Sequence, residues 1–256
     1  MKMRKLFISM VLVLSTYMIQ AQEYGVYSMH FVRIEGNTDD FEKVQSMYMQ
    51  KVAKQAAEKG DITFWAFLKH VAMDNIDDEE RYNYVFVQSN ASIEAMLSEK
   101  NNWWNNAAGV LNTEEQALVS ALSATHTWTA DSRHIYLDEG SIAKGLGDFI
   151  QFNFARPENV EGFIQENLTL WKPYFEKNME RMGMVNWGVG RKLAPLGTNW
   201  AKVSTWDMFN TLEELMKYRI GYEMPADLLK KSKMTDYNPD GFMMMPIFQM
   251  MANSAQ

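Results

Sequence analysis

Phe41 and Trp65 stand 24 residues apart, and so do Phe163 and Trp187. The two pairs are offset by 122 positions, and the same offset brings Glu58-Lys59 onto Glu180-Arg181 and Lys69 onto Arg191. Further on the offset becomes 119, where Ser92-Ile93-Glu94 meets Thr211-Leu212-Glu213 and Met96-Leu97 meets Leu215-Met216. A longer first-half loop at the acidic stretch 72–81 accounts for the change of three. Self-similarity at a fixed offset is the mark of one structural unit written twice. Such a chain must bury the apolar faces of both copies, and the simplest way is one against the other.

Each copy has the same order of elements. Val, Tyr and Phe crowd residues 24–34, which predicts a strand. Asn37-Thr38-Asp39 offers helix-capping oxygens before a helix over 41–59, whose Phe41, Val44, Tyr48, Val52 and Ala56 recur at spacings of three and four. Gly60 stops it. Strands follow at 62–71 and 82–88, a helix at 92–99, another at 116–122 capped by Asn112, and a strand at 133–137. The second copy predicts strand 149–155, helix 160–182, strands 185–192 and 200–206, helices 211–218 and 226–231, and strand 242–248. Pro173 should bend the long helix near Lys172 or leave a carbonyl unpaired.

A strand–helix–strand–strand–helix–strand unit is ferredoxin-like, with helices on one face of an antiparallel sheet. The strands are apolar on both faces, so the second face needs cover too. In this element order and its repeated Phe…Trp pattern, residues 24–249 resemble the dimeric α+β barrel superfamily. The resemblance implies an α+β fold of two tandem ferredoxin-like units packed sheet to sheet as a pseudo-dimeric barrel. The expected units are 22–140 and 141–256. The superfamily includes cofactor-free monooxygenases and haem-binding enzymes.

Lys2, Arg4 and Lys5 precede an apolar run at 6–14, and Ile19-Gln20-Ala21 offers a small residue for cleavage. That order predicts a signal peptide over 1–21 and a mature chain starting at Gln22. Removing it leaves 22 basic against 32 acidic residues, a net charge of −10. The balance argues against a nucleic-acid partner. A secreted or periplasmic protein is expected, without membrane attachment after cleavage, as monomer or homodimer. The chain contains no cysteine, which excludes disulfides, thiolate metal sites and a cysteine nucleophile.

Strand alternation sorts the candidate site residues. Trp65, Phe67 and Lys69 share one face, as do Trp187, Val189 and Arg191, and these bulky sets are expected under the helices. Phe64, Ala66, Leu68 and His70 then face the space between the sheets, along with Asn186, Gly188, Gly190 and Lys192. The same reasoning places Met29, Phe31 and Arg33 there, with Gln151 and Asn153 opposite. The expected ligand site is a cleft lined by Phe31, His70, Gln151 and Asn153, with His134 and Tyr136 near one end. His30 is expected beneath a helix and His126 in a loop.

No two histidines show metal-ligand spacing, so no metal is expected, and no phosphate loop or serine elbow is present. No cofactor is predicted. Haem enters only if His70 or His134 serves as its ligand. Trp103 and Trp104 among asparagines are expected to cap a barrel end rather than to stack on sugar. Met243, Met244 and Met245 alternate along a strand and read as packing, not as a copper site. Three readings stand: a secreted protein binding a small apolar molecule, a monooxygenase-type enzyme, and an interaction protein with a filled cleft.

Overall fold

The structure is a computed structural model that describes residues 25–72 and 82–255. The expected leader and most of the acidic loop lie outside the described residues.

Strand β1 (Val26–Gly36) leads into helix α1, where Thr38–Lys43, a π-helical Val44–Met49 and Gln50–Glu58 run on without a break. Asn37 caps it, its side chain accepting from the Asp40 N–H at 3.2 Å, and Gly60 ends it at φ +75°. Strands β2 (Phe64–His70) and β3 (Tyr84–Asn90) follow. A short helix α2 (Ile93–Leu97), a 3-10 segment (Glu99–Asn106) and helix α3 (Thr113–Ser123) lead to β4 (His126–Ala143). Then come β5 (Phe149–Ala155) and the long helix α4, in which Val160–Glu166, a π-helical Asn167–Trp171 and Lys172–Asn178 are continuous. Strands β6 (Met184–Ala194) and β7 (Val203–Phe209), helices α5 (Leu212–Gly221) and α6 (Ala226–Lys231), and strands β8 (Phe242–Met244) and β9 (Ile247–Asn253) complete the chain.

All strand pairings are antiparallel and the sheet closes. Its order is β7-β6-β4-β1-β3-β2-β9-β5, and β5 pairs back to β7, which makes an eight-stranded barrel with β8 added at the end of β5. Within each half the fourth strand lies beside the first, the first beside the third, and the third beside the second: β4-β1-β3-β2 and β9-β5-β7-β6. The seams between halves are β4 with β6 and β2 with β9.

Three apolar clusters result. One lies between α1, α3 and the first half's outer face, around Phe41, Trp65 and Trp103. Another fills the space between α4, α5 and the second half's outer face, around Phe163, Trp187 and Phe209. The third fills the barrel with Tyr27, Met29, Phe31, Leu68, Tyr136, Phe152 and Phe248, among others. Trp65 and Trp187 thus face the helices and Ala66 and Leu68 face the lumen, as alternation on β2 and β6 predicts.

Several expectations differ. The strand expected at 133–137 is 18 residues long, because β4 pairs with β1 along residues 126–137 and with β6 along 135–143. His126 therefore opens a strand. Pro173 lies within the continuous α4, just after the π-helical turn Asn167–Trp171. Trp103 is buried on the outer face against Trp65, at 6.1 Å between ring centroids, rather than at a barrel end.

Candidate functional site

Gln151 and Asn153 do not face the lumen. On β5 it is Ile150, Phe152 and Phe154 that fill the barrel, so the alternate residues point outward beneath the helices. An offset of 122 pairs Gln151 with Met29 and Asn153 with Phe31, yet Met29 and Phe31 are lumen residues. The offset that aligns the helices and β2 with β6 does not carry into the first strands. A slip of one residue reverses both faces of a strand.

The other expected residues do gather at one end of the barrel. The Phe31 ring meets His134 at 5.4 Å and Phe248 at 6.4 Å, and His70 meets Phe248 at 5.4 Å. Tyr136 stacks on Tyr27 at 5.1 Å. Phe31, His134 and Tyr136 border a cavity of about 160 Å³, with Lys192, Trp200, Met243 and Met244 on its other walls. The middle of the lumen is filled by side chains. At the opposite end a cavity of about 330 Å³ is bounded by Tyr27, Asp138, Phe152 and Trp206.

The largest chemical concentration lies elsewhere, in a cavity of about 430 Å³ between the outer face of β5, β6 and β7 and the helices above it. Strand register sets its floor, with Gln151 opposite Asp207, Asn153 opposite Thr205, and Asp207 opposite Trp187. Its walls are rings: Phe163, Trp171 and Phe175 from α4, Trp187 from β6, and Tyr218 from α5. Glu166 ties this wall together. It accepts from Trp171 Nε1 at 2.9 Å, Ser232 Oγ at 2.5 Å and the Lys233 N–H at 2.7 Å, which joins α4 to the segment after α6.

Asp207 is 3% exposed, a carboxyl in the middle of an apolar strand. Asn153 Nδ2 donates to its Oδ2 at 2.7 Å and Gln151 Nε2 approaches the same oxygen at 3.4 Å. Gln151 is held in turn by Arg219, whose Nε donates to Gln151 Oε1 at 2.5 Å and whose Nη2 donates to the Met245 carbonyl. Burial raises the Asp207 pKa to about 6, although the two amides and Arg219 pull the other way. Burial also pushes the Tyr218 phenol well above its usual range, and Asp207 adds to that. The arrangement is a proton-exchanging carboxyl with amide donors in an aromatic enclosure. It can accept a hydrogen bond or a proton from a bound molecule near neutral pH.

Asp207, Arg219 and Tyr218 are not among the residues alternation singles out. Two signals mark Asp207: an acid between Trp206 and Met208 in mid-strand, and the offset of 119 that carries Gln88 onto it. Gln88 lies opposite Trp65 just as Asp207 lies opposite Trp187.

Neither histidine expected as a haem ligand, His70 or His134, lines the 430 Å³ cavity. Burial together with Asp207 keeps the Tyr218 phenol protonated. His134 faces a cavity of about 160 Å³, too small for a haem. Among the described residues no group of three or more His, Asp or Glu is placed to hold a metal ion. No helix among them is long and apolar enough to cross a membrane.

No protein-family model matches the chain, and no curated protein is similar to it. Solved structures are similar over nearly its whole length. A candidate monooxygenase from Fusobacterium nucleatum subsp. nucleatum superposes with a TM-score of 0.53 at 10% identity, over 91% of this chain and 94% of that one. An anthrone oxidase-like protein superposes at 0.52 with 12% identity, over 90% and 92%. A haem-binding protein from Thermus thermophilus reaches 0.46 at 9% identity, over 89% and 91%, too loose a likeness to bear on haem here. At these identities the likeness establishes architecture alone: a closed antiparallel barrel of the dimeric α+β type, with helices outside.

Proposed function

We propose that this chain binds a small, mostly aromatic molecule carrying a hydroxyl group in the cavity beneath α4 and α5, with Asp207 as its hydrogen-bond acceptor. The observation that carries the reading is a buried carboxyl, held by Asn153 and Gln151, on the floor of a 430 Å³ ring-walled space. Sites of this size with a few placed polar groups are the common form of small-molecule pockets. A screen of phenols and naphthols by thermal shift tests it. A ligand at about 100 times its dissociation constant stabilises by roughly 2.7 kcal/mol. The shift should shrink in Asp207→Asn, and a full-sized shift in that variant would refute the role of Asp207.

A monooxygenase-type reaction is the second reading, favoured by the Asp207 pKa of about 6. A base poised near neutral pH can take a proton from an acidic C–H or O–H of the bound molecule. Dioxygen as co-substrate would then add to the anionic carbon and take up a proton as a hydroperoxide. Its O–O bond breaks with loss of water to leave a ketone, one oxygen atom ending in the product and one in water. The candidate monooxygenase and the anthrone oxidase-like protein that share the fold add a fold-level hint. Oxygen uptake with anthrone, lost in Asp207→Asn, would support it.

The same proposal takes 22–140 and 141–256 as tandem ferredoxin-like units, supported by the equivalent strand orders of the two halves. It takes the protein as exported to the periplasm or beyond after removal of 1–21, acting as monomer or homodimer without nucleic acid.

A further inference from the structure

Lys192 is 5% exposed and sits on the inner face of β6 at one end of the barrel. Its Nζ lies 4.9 Å from the centre of the Trp200 ring and 5.8 Å from that of Tyr136. No carboxylate lies within 4 Å of it among the described residues, and it makes no side-chain hydrogen bond there. Such isolation is unusual for a lysine with so little exposed surface, and its Nζ is not among the sealed unpaired polar atoms, so it stays reachable from the cavity. The protein carries a formal charge of −7, so carboxylates to pair with are not scarce.

The groups that share the 160 Å³ cavity with Lys192 are His134 and Tyr136 of β4, Phe31 of β1, Tyr82 ahead of β3, and Asn199 with Trp200. None is an acid. His134 is occupied by Ser132, with Nε2 and Oγ 2.8 Å apart. Burial and the neighbouring Lys192 lower its pKa to about 4, so it adds no second cation. The outer wall is Met243 and Met244, 51% and 58% exposed, on unbranched side chains that can move aside.

We propose that this end of the barrel is a second site, which takes a small organic anion, a carboxylate on one aromatic ring or a short apolar chain, with the Lys192 ammonium as its charge partner. The Phe31, Tyr136 and Trp200 rings take the apolar body, and the carboxylate supplies the counter-ion that the fold omits. This site is separate from the Asp207 cavity, which lies on the other face of the sheet.

Burial alone lowers the Lys192 pKa to about 8, so near pH 8 the amine is about half protonated. An anion beside it draws the proton back. Binding should therefore take up about half a proton at pH 8 and almost none at pH 6. Calorimetry of the full mature chain with benzoate, in buffers of differing ionisation enthalpy, reads this directly. Lys192→Met keeps the stem and removes the charge, and should weaken benzoate at least tenfold while leaving the naphthol-induced stabilisation intact. Lys192→Arg keeps the charge and should bind benzoate without proton uptake at pH 8. The proposal is overturned if wild type fails to bind benzoate at millimolar concentration. Unchanged affinity in Lys192→Met, or proton uptake that persists in Lys192→Arg, also overturns it.

Discussion

Replacing Asp207 by Asn should stabilise this protein at neutral pH, and the gain should fade as the solution is acidified. The carboxyl has a pKa of about 6 when folded against 3.8 for an unperturbed aspartate. That difference corresponds to about 3 kcal/mol of penalty for holding the charged form inside. Because the folded pKa is raised, the folded chain binds the proton more tightly than the unfolded chain. The penalty is thus fully present above pH 6 and relieved as pH falls toward 3.8. Asparagine has no charge to bury and can still accept from Asn153. Chemical denaturation of both proteins should show the variant ahead by up to about 3 kcal/mol at pH 7.5 and by about 1 kcal/mol at pH 4.5. All other titrating groups are common to both chains and cancel in the difference. A difference that stays flat across that range would show that Asp207 ionises as freely in the fold as outside it. The reading of the cavity would then lose its central group.

Trp187→Ala should cost roughly 3–5 kcal/mol, since the side chain is 2% exposed among Phe175 and its neighbours; the midpoint of urea unfolding measures it. Gly188→Ala would place its Cβ against the Trp206 ring, at a cost of about 1–3 kcal/mol, and Trp206→Leu in the same chain should recover most of it. Thr211→Ala breaks a reciprocal cap with Glu214 at the start of α5 and should lower stability by about 1 kcal/mol. Mass spectrometry of exported protein should find Gln22 at the N-terminus, and an intact Met1 in a membrane fraction would refute export with cleavage.

Alternation was readable where large rings crowd one face, as at Trp65 and Phe67 or Trp187 and Val189. It failed on β5, where both faces are plausible by composition and register alone separates Phe152 from Asn153. The first half of β4, from Thr127 to Asp131, holds a single large apolar residue, Trp128, too little to mark a strand. It is a strand because β1 pairs with it, a fact that lies in the partner and not in the segment. The barrel-end grouping of Phe31, His134 and Tyr136 followed from parity. The Asp207 cavity did not, because a lone acid in a sequence of 32 acidic residues reads as surface until its neighbours on other strands are known.

A barrel assembled from two identical chains must present each surface twice and comes apart on dilution. Here both seams join strands of one chain, so closure is independent of concentration and the two hemispheres are free to specialise. Opposite Trp65, Gln88 accepts from Trp103 Nε1 at 2.9 Å and donates to Asn101, so the 3-10 segment seals that position. The stretch 101–106 has no counterpart in the second half, and opposite Trp187 the matching position is Asp207, looking onto open space. Under the proposed function, the first half is structural and the second carries the site. Damage beneath α1 should therefore show only as lost stability, and damage beneath α4 as lost binding.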